Sequence, residues 1–216
     1  MPVQRDSLLH QLECYLASRP DERAMVERTL AFVRAHPDCF ERSCVPGHVT
    51  GSAWILSHDR RASLLAHHAK LDRWLQCGGH SDGDPDTAAV ALREAREESG
   101  LERLEFAQRD AHGVAQIFDV DIHVFPARGA DPEHLHYDVR FLLIAAAGEE
   151  PRVSSESNAL RWFPLAVDHA ELADESLARL VRKARAWAVT ASRSPEAARG
   201  GDEAGRPASR DRSPAR

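Results

Sequence analysis

Long apolar runs are missing from this sequence, both at its start and in its interior. A membrane-spanning helix needs roughly 18 or more consecutive apolar residues, and a secretory signal needs an apolar segment near the start. Cysteine is also scarce: only Cys14, Cys39, Cys44 and Cys77 are present, at spacings that match no metal-binding motif. In a chain without a secretory signal, such cysteines are expected to be reduced thiols. We therefore expect a cytoplasmic protein with no membrane partner.

Positive charge is in shorter supply than negative charge. The chain has 28 Lys and Arg residues against 34 Asp and Glu residues, which gives a formal charge of −6. A protein that binds a nucleic-acid polymer normally presents a basic surface, so the balance of charge argues against that partner. It does not exclude an anionic small molecule, because a bound metal ion reverses the local sign of charge. With 216 residues and 43% apolar content, the chain is long enough for a proper core.

Hydrophobic periodicity and composition divide the chain into three parts, residues 1–45, 46–189 and 190–216. The first is predicted to be a helical hairpin, which could serve as a surface for homodimer formation. The second mixes strands and helices without regular alternation, which favours an α+β fold, a mixed α/β/α sandwich, over a doubly wound parallel sheet. The third is rich in Arg, Ser, Pro, Gly, Ala and Glu, so we expect a disordered tail.

Individual elements follow from the same patterns, with turn residues as boundaries. Helices are predicted over 6–18, 21–35, 85–99 and 168–188, strands over 49–57, 63–67, 114–125, 135–145 and 160–165, and a loop over 70–83. For the helix over 85–99, Asp84 is the expected N-cap and Pro85 the first helical residue. Gly100 suits the left-handed residue after its C-terminus.

Three carboxylates lie close together on this helix. At 100° per residue, Glu94, Glu97 and Glu98 fall within an arc of about 100°, and Arg93 is spaced to pair with Glu97. Carboxylates crowded near a helix C-terminus repel one another and oppose the helix dipole, so a cation is needed to compensate them. Mg²⁺ is the natural candidate because it prefers carboxylate and water ligands. A solvated acidic face with arginine partners is the alternative that these residues alone leave open.

The spacing of these residues from Gly79 resembles the Nudix box, G-x5-E-x7-R-E-U-x-E-E-x-G-U, where U is a bulky apolar residue. Six residues fall on the required positions: Arg93, Glu94, Glu97, Glu98, Gly100 and Leu101. Pro85 stands in place of the first box Glu, and Ala95 occupies the apolar position after the Arg-Glu pair. Cys77 replaces a proline common in the family, and we expect it to be a buried thiol. The resemblance covers about residues 48–165, which leaves the hairpin and the tail outside it.

This resemblance implies a Nudix-like fold and Mg²⁺-dependent hydrolysis of a diphosphate linkage, with Mn²⁺ as a substitute ion. The substrate would be a nucleoside diphosphate linked to another group X, or another small diphosphate, attacked at phosphorus by water. The family's metal ligands map onto Glu94, Glu97, Glu98 and the carbonyl of Gly79. Glu97 or Glu98 would act as the base.

Other assignments stay open. Arg93 would orient the site, and Glu156, on a later loop, is another candidate base unless it is a plain exposed acid. The alternative function is a catalytically weak Nudix-fold module that binds nucleotides or regulates, which Pro85 and the added hairpin favour. An isoprenoid diphosphate isomerase on the same fold is disfavoured, because no cysteine has a recognisable catalytic context.

Two predicted strands carry unusual polar stripes. On one, His134, His136, Asp138 and Arg140 share a face by period two; on the other, Asp119, Asp121 and His123 do. A solvent-facing side is the ordinary interpretation of such alternation. Our hypothesis is instead that His136, Asp138 and Arg140 line the substrate cleft, together with His80 after the glycines. The His-x-His spacing suggests zinc, but the sequence offers no third ligand at a firm spacing.

Overall fold

The structure, a computed structural model, describes residues 2–127, 132–155, 157–172 and 174–193. Glu156 and most of the tail predicted from residue 190 lie outside the described residues. Within them the chain folds as an α+β protein, as the sequence predicts, with a helical pair ahead of the sheet. The helices are α1 (Pro2–Ser18), α2 (Arg23–Ala35), α3 (Thr87–Ser99) and α4 (Glu175–Arg193), and short 3-10 turns cover Pro20–Glu22 and Ala170–Leu172. The strands are β1 (Gly47–Leu56), β2 (Ala62–His68), β3 (Arg73–Leu75), β4 (Cys77–His80), β5 (Leu104–Phe106), β6 (Asp119–Phe125), β7 (His134–Ala145) and β8 (Ser157–Pro164).

The sheet is built around two long parallel neighbours, β1 and β7, which pair from Gly47 opposite Leu135 to Leu56 opposite Ile144. On its other edge, β1 pairs antiparallel with β4 and then with β2. The outer edge of β7 pairs with β6 along its first half and with β5 near its end. Strands β3 and β8 both pair with β2. This mixed order explains why no regular strand-helix alternation is visible in the sequence.

Strand β1 is buried on both faces, and its alternate side chains enter two different cores. Val49 and Ile55 belong to the core shared with α1, α2 and α3. Trp54 and Leu56 belong to the core shared with α4, which contributes Leu177, Leu180 and Ala184. The sheet therefore lies between helical layers, which is the α/β/α sandwich that the sequence predicts.

The N-terminal hairpin packs directly on the sheet. Its apolar side chains, Leu8, Leu12, Tyr15, Val26, Leu30 and Val33, are buried in the same core as β1 and β7. The ring of Phe32 on α2 stacks on Tyr137 of β7 with centroids 3.8 Å apart. On α1, the Tyr15 hydroxyl lies 3.2 Å from the carbonyl of Phe118. The hairpin thus covers one face of the sheet, and its role as a dimer surface stays a prediction.

Two local predictions are wrong. The loop predicted over 70–83 contains β3 and β4, whose three and four residues are too short to show a strand period. The helix predicted from Pro85 begins at Thr87 instead, and Asp86 is its N-cap. The Asp86 carboxylate accepts hydrogen bonds from the N–H groups of Ala88 and Ala89 at 3.1 and 3.0 Å. Among the helices that the structure describes, none is long and apolar enough to span a membrane.

Candidate active site

Helix α3 approaches the sheet closely because small residues face it. Ala91 and Ala95 are fully buried, and a Cβ placed on Gly51 of β1 would lie 2.6 Å from the carbonyl oxygen of Thr87. The helix ends at Gly100, whose φ of +69° is left-handed, as its position predicts. A helix held this close to β1 carries its glutamates to the neighbouring strand β4.

The Gly78-Gly79 pair on β4 receives two of these glutamates. The N–H of Gly78 donates to Glu98 Oε2 at 3.0 Å. A Cβ on Gly79 would lie 2.4 Å from Glu94 Oε2, so the carboxylate occupies the space that a side chain would fill. Close packing therefore requires both glycines: Gly79 leaves room for the Glu94 carboxylate, and Gly78 leaves room for Ser52 of β1.

Arg93 holds one of the glutamates in place, but not the predicted one. Its guanidinium donates to Glu94 Oε1 at 3.0 Å and to the carbonyl oxygen of His80 at 3.1 Å. The predicted pairing of Arg93 with Glu97 is therefore wrong, because the side chain turns toward β4. By bridging Glu94 and His80, Arg93 fixes α3 against the strand that carries Gly79.

The other two glutamates differ in their surroundings. Glu97 is exposed and makes no hydrogen bond or ion pair with any described residue. Glu98 lies beside Cys77, a free and buried thiol, as predicted. Burial raises the pKa of Cys77 well above its usual range, and the Glu98 and Glu94 carboxylates raise it further. Cys77 therefore remains a neutral thiol that supports Glu98 through a hydrogen bond.

The loop between β4 and α3 is anchored to the segment that follows the hairpin. The N–H of Gly83 donates to the carbonyl of Phe40 at 3.0 Å, and Arg42 pairs with Asp82 at 2.8 Å. Pro85 lines a shallow depression with Phe40 in this region. The residue that departs from the box pattern thus lies in the loop before the helix, while Glu94, Glu97 and Glu98 all lie on α3.

These residues fit a hard divalent cation. Two carboxylates, Glu94 and Glu98, converge on the Gly78-Gly79 pair, and the exposed Glu97 is free to join them. Carboxylate and backbone carbonyl oxygens are the ligands that Mg²⁺ and Mn²⁺ prefer.

The polar stripe on β7 is buried, so its solvent-facing interpretation is wrong. Asp138 and Arg140 are 1% and 2% exposed because α4 covers this face of the sheet. Arg140 donates to Asp138, Asp119 and Asp121 at 2.7, 3.2 and 2.9 Å. It also donates to Ser176 of α4 at 2.7 Å. These partners engage the Arg140 guanidinium within the sheet, and the hypothesis that His136, Asp138 and Arg140 line the substrate cleft stays a prediction.

Charges from α4 complete this network. Arg179 pairs with Asp119 and Asp121 at 2.9 and 3.0 Å, and Lys183 pairs with Asp119 at 2.9 Å. Burial opposes ionisation of Asp119, but the hydrogen bonds from Arg179 and the charge of Arg140 outweigh it and lower its pKa. Asp138 further accepts hydrogen bonds from Thr50 and Ser52 of β1, from Gln76, and from Arg140.

Five histidines gather at the open end of the same face. They come from four strands: His48, His80, His123, His134 and His136. Burial, together with the charges of neighbouring histidines, lowers the pKa of His48 to about 4 and that of His136 to about 2. Both rings are therefore neutral at neutral pH. From the sequence we predict that His136 and His80 line the substrate cleft, but that prediction misses His48. A signal for His48 was present, because His48, Thr50 and Ser52 form a polar stripe of period two on β1.

Comparisons with known proteins concern the domain family and the fold. Residues 47–183 match the sequence model of the NUDIX domain. A crystal structure of an Ap4A hydrolase from C. elegans superposes with a TM-score of 0.51 at 17% identity, covering 66% of this chain and 98% of that chain. At that identity the likeness supports the fold alone.

Two further similar structures have TM-scores below 0.5 and carry no argument. A dihydroneopterin triphosphate pyrophosphohydrolase from E. coli has a TM-score of 0.47 at 15% identity, covering 62% of this chain and 92% of that chain. An ADP-ribose pyrophosphatase from Streptococcus suis has a TM-score of 0.41 at 24% identity, covering 68% and 92%. No curated protein sequence matches the chain.

Proposed function

The chain belongs to the Nudix family of pyrophosphohydrolases, and from this premise we propose that it hydrolyses a nucleoside diphosphate linked to a further group X, with Mg²⁺ as its metal. The observation that carries the proposal is the convergence of Glu94 and Glu98 on the Gly78-Gly79 pair, next to the exposed Glu97. Nudix hydrolases generally depend on a divalent metal ion, and Mn²⁺ is the expected substitute. The alternative, a binding module without catalysis, gains no support from the comparisons.

In this proposal Glu94, Glu98 and the Gly79 carbonyl hold the metal, and Glu97 is the remaining carboxylate of the box, either a further ligand or the base. When bound, Mg²⁺ neutralises the phosphate oxygens and makes a water molecule more acidic. Arg93 positions the site, since it locks Glu94 to the backbone of β4. The Gly78 N–H holds the Glu98 carboxylate at the same strand, next to the neutral Cys77 thiol.

Glu97 is the best placed of the three glutamates to take the proton of the attacking water. It is exposed, and no described residue holds its carboxylate by a hydrogen bond or ion pair. The other two carboxylates are already engaged by Arg93 and by the Gly78 N–H. A base must reach both the water and the solvent that accepts the proton, and exposure on α3 permits both.

His80 directly follows Gly79, and its predicted contact with the substrate stays a prediction. Its ring lies 5.0 Å from His48 and 5.1 Å from His136, on the face opposite α3. The similar structure of an Ap4A hydrolase suggests dinucleotides as test compounds. We expect a small nucleotide substrate and no nucleic-acid polymer, in keeping with the net charge of −6.

The test is hydrolysis of a panel of nucleotide sugars, dinucleotides and nucleoside triphosphates, with Mg²⁺ and with Mn²⁺. Glu97→Gln and Glu98→Gln should each lower kcat by about 10²–10⁴-fold, as expected for loss of a base or a ligand. Glu105→Gln is the matched control, because Glu105 is exposed on β5, outside the box, and it should keep full activity. Nucleotide binding without turnover on any compound would contradict the proposal and favour the binding module.

A further inference from the structure

Three histidines from two strands bring their ring nitrogens together near the first residues of β1 and β7, on the face of the sheet opposite α3. His48 lies on β1, and His134 and His136 lie on β7, where His48 is the direct partner of His136. One nitrogen from each ring lies within 4.8 Å of the other two. We propose that these three imidazoles bind a borderline divalent transition-metal ion such as Zn²⁺, at a site separate from the box glutamates.

The distances suit such an ion. His134 Nε2 and His136 Nε2 are 3.1 Å apart and share a hydrogen bond, which an ion bound between them would replace. Ligand nitrogens on a tetrahedral Zn²⁺, with Zn–N bonds of 2.0–2.1 Å, are separated by roughly 3.3–3.4 Å. The His134–His136 pair is therefore nearly at the spacing required to share one ion. Period two on β7 is what turns both rings to the same side.

His48 supplies independent support, because it lacks the partners that a buried imidazole normally has. It is 3% exposed, and neither Nδ1 nor Nε2 has a hydrogen-bond partner among the described residues. Buried polar side chains are nearly always hydrogen-bonded, so an exception needs an explanation. A metal ion among the three rings gives His48 the partner that it otherwise lacks.

The surroundings of His134 match those of a metal-ligating histidine. Its Nδ1 lies 2.8 Å from the carbonyl oxygen of Pro132. That contact requires the proton on Nδ1, which leaves the Nε2 lone pair for a metal; this is the usual outer hydrogen bond of a histidine ligand. Phe125 stacks on His134 and His136 with centroids 5.4 and 5.0 Å away and closes one side of the site. His134 itself is partly exposed, which provides a path of entry.

The site is chemically and spatially distinct from the box. Gly79 faces Glu94 and α3, whereas the ring of the next residue, His80, lies 5.0 Å from that of His48 on the opposite face. Neutral imidazoles select Zn²⁺, Co²⁺, Ni²⁺ and Cu²⁺, while Mg²⁺ prefers oxygen ligands. Excess Mg²⁺ should therefore fill the box without displacing an ion from the histidines.

Binding of Co²⁺ to the untagged full chain in excess Mg²⁺, followed by visible absorption, tests the proposal. We expect one site with a d–d spectrum of low coordination number, from which stoichiometric Zn²⁺ displaces Co²⁺. His134→Ala should weaken Zn²⁺ binding by at least about 100-fold, since loss of even an outer partner costs 10–100-fold. His136→Ala should weaken Zn²⁺ binding as much. Because His134 is partly exposed, we expect the His134→Ala variant to keep its fold.

Two controls distinguish this site from its neighbours. His123→Ala should leave Co²⁺ binding intact, because His123 packs on His136 at 5.3 Å but is not one of the three ligands. Cys44→Ser removes the thiol of a second group, His36, Asp38 and Cys44, whose ligand atoms also lie within 4.8 Å of one another. Equal affinity in wild type and His134→Ala, or a cobalt–thiolate band abolished by Cys44→Ser, would overturn the proposal.

Discussion

Replacing Gly79 by Ala tests whether the position of the Glu94 carboxylate limits catalysis. The added Cβ would lie 2.4 Å from Glu94 Oε2 and 2.5 Å from its Cδ, whereas ordinary contact begins at 3.4 Å. The carboxylate must therefore move by about 1 Å. It is the far end of a flexible side chain, so it can move without disturbing the backbone of β4 or α3.

Moving the Glu94 carboxylate by this distance should lower the catalytic activity but change the stability of the fold only slightly. A misplacement of about 1 Å at a reacting centre can lower the rate about 10²-fold, which corresponds to about 2.7 kcal/mol of transition-state stabilisation. We expect kcat/KM of Gly79→Ala to fall by about this factor on the best substrate of the panel. Denaturant unfolding should show a loss below about 1 kcal/mol, as for substitutions that avoid core packing.

The adjacent glycine provides the contrast. A Cβ on Gly78 would lie 2.2 Å from Ser52 Oγ and 2.7 Å from the Ser52 Cα, which is backbone of β1 and cannot give way. Gly78→Ala should therefore lose stability as well as activity, by about 1–3 kcal/mol for overpacking. Wild-type kcat/KM in Gly79→Ala, or equal destabilisation by both variants, would refute the reasoning that Gly79 exists to admit Glu94.

The buried ionic network yields three further predictions. Arg140→Leu should destabilise the fold by about 3–5 kcal/mol in urea unfolding, because it leaves buried carboxylates without their cation; Arg103→Leu, which breaks an exposed pair, should cost less than about 1 kcal/mol. Because the folded pKa of Asp119 lies below its unfolded value of about 3.9, its stabilising contribution is complete above that pH and is lost as pH falls through the folded pKa. Asp119→Asn should accordingly flatten the acid limb of unfolding, and an unchanged limb would contradict this. Tyr15→Phe, which removes the hydroxyl near the Phe118 carbonyl, should cost about 0.5–1.5 kcal/mol in the same unfolding assay, and no loss would mean that the hydroxyl does not anchor the hairpin.

Local signals predicted the helix that carries the glutamates. Gly100 marks its end through the left-handed conformation that glycine favours, and the register from Gly79 fixes which residues face β4. The start of the helix was harder, because Asp84 and Asp86 are equally good caps in sequence. Only the structure shows that the Asp86 carboxylate accepts the N–H bonds.

Long-range pairing explains what the sequence could not predict. The stripe on β7 alternates like a half-exposed strand, yet Arg140 is buried because α4, which arrives late in the chain, brings Arg179 and Ser176 onto it. His48 escapes sequence reasoning for the same reason, since its neighbour His136 comes from a strand at the far end of the domain. Parallel pairing of β1 with β7 leaves no local signature in either segment.

The alternation of strand β4 explains how the two proposed metal sites could differ in character within one small domain. Adjacent residues of a strand face opposite sides, so Gly79 meets carboxylates on α3 while His80 meets imidazoles on β1 and β7. Oxygen ligands on one side favour a hard ion, and nitrogen ligands on the other favour a borderline ion. Because the two donor sets differ, each ion can be removed without the other. Chelation selective for Zn²⁺ should therefore leave Mg²⁺-dependent hydrolysis measurable, which separates the catalytic role of the glutamates from the role of the histidines.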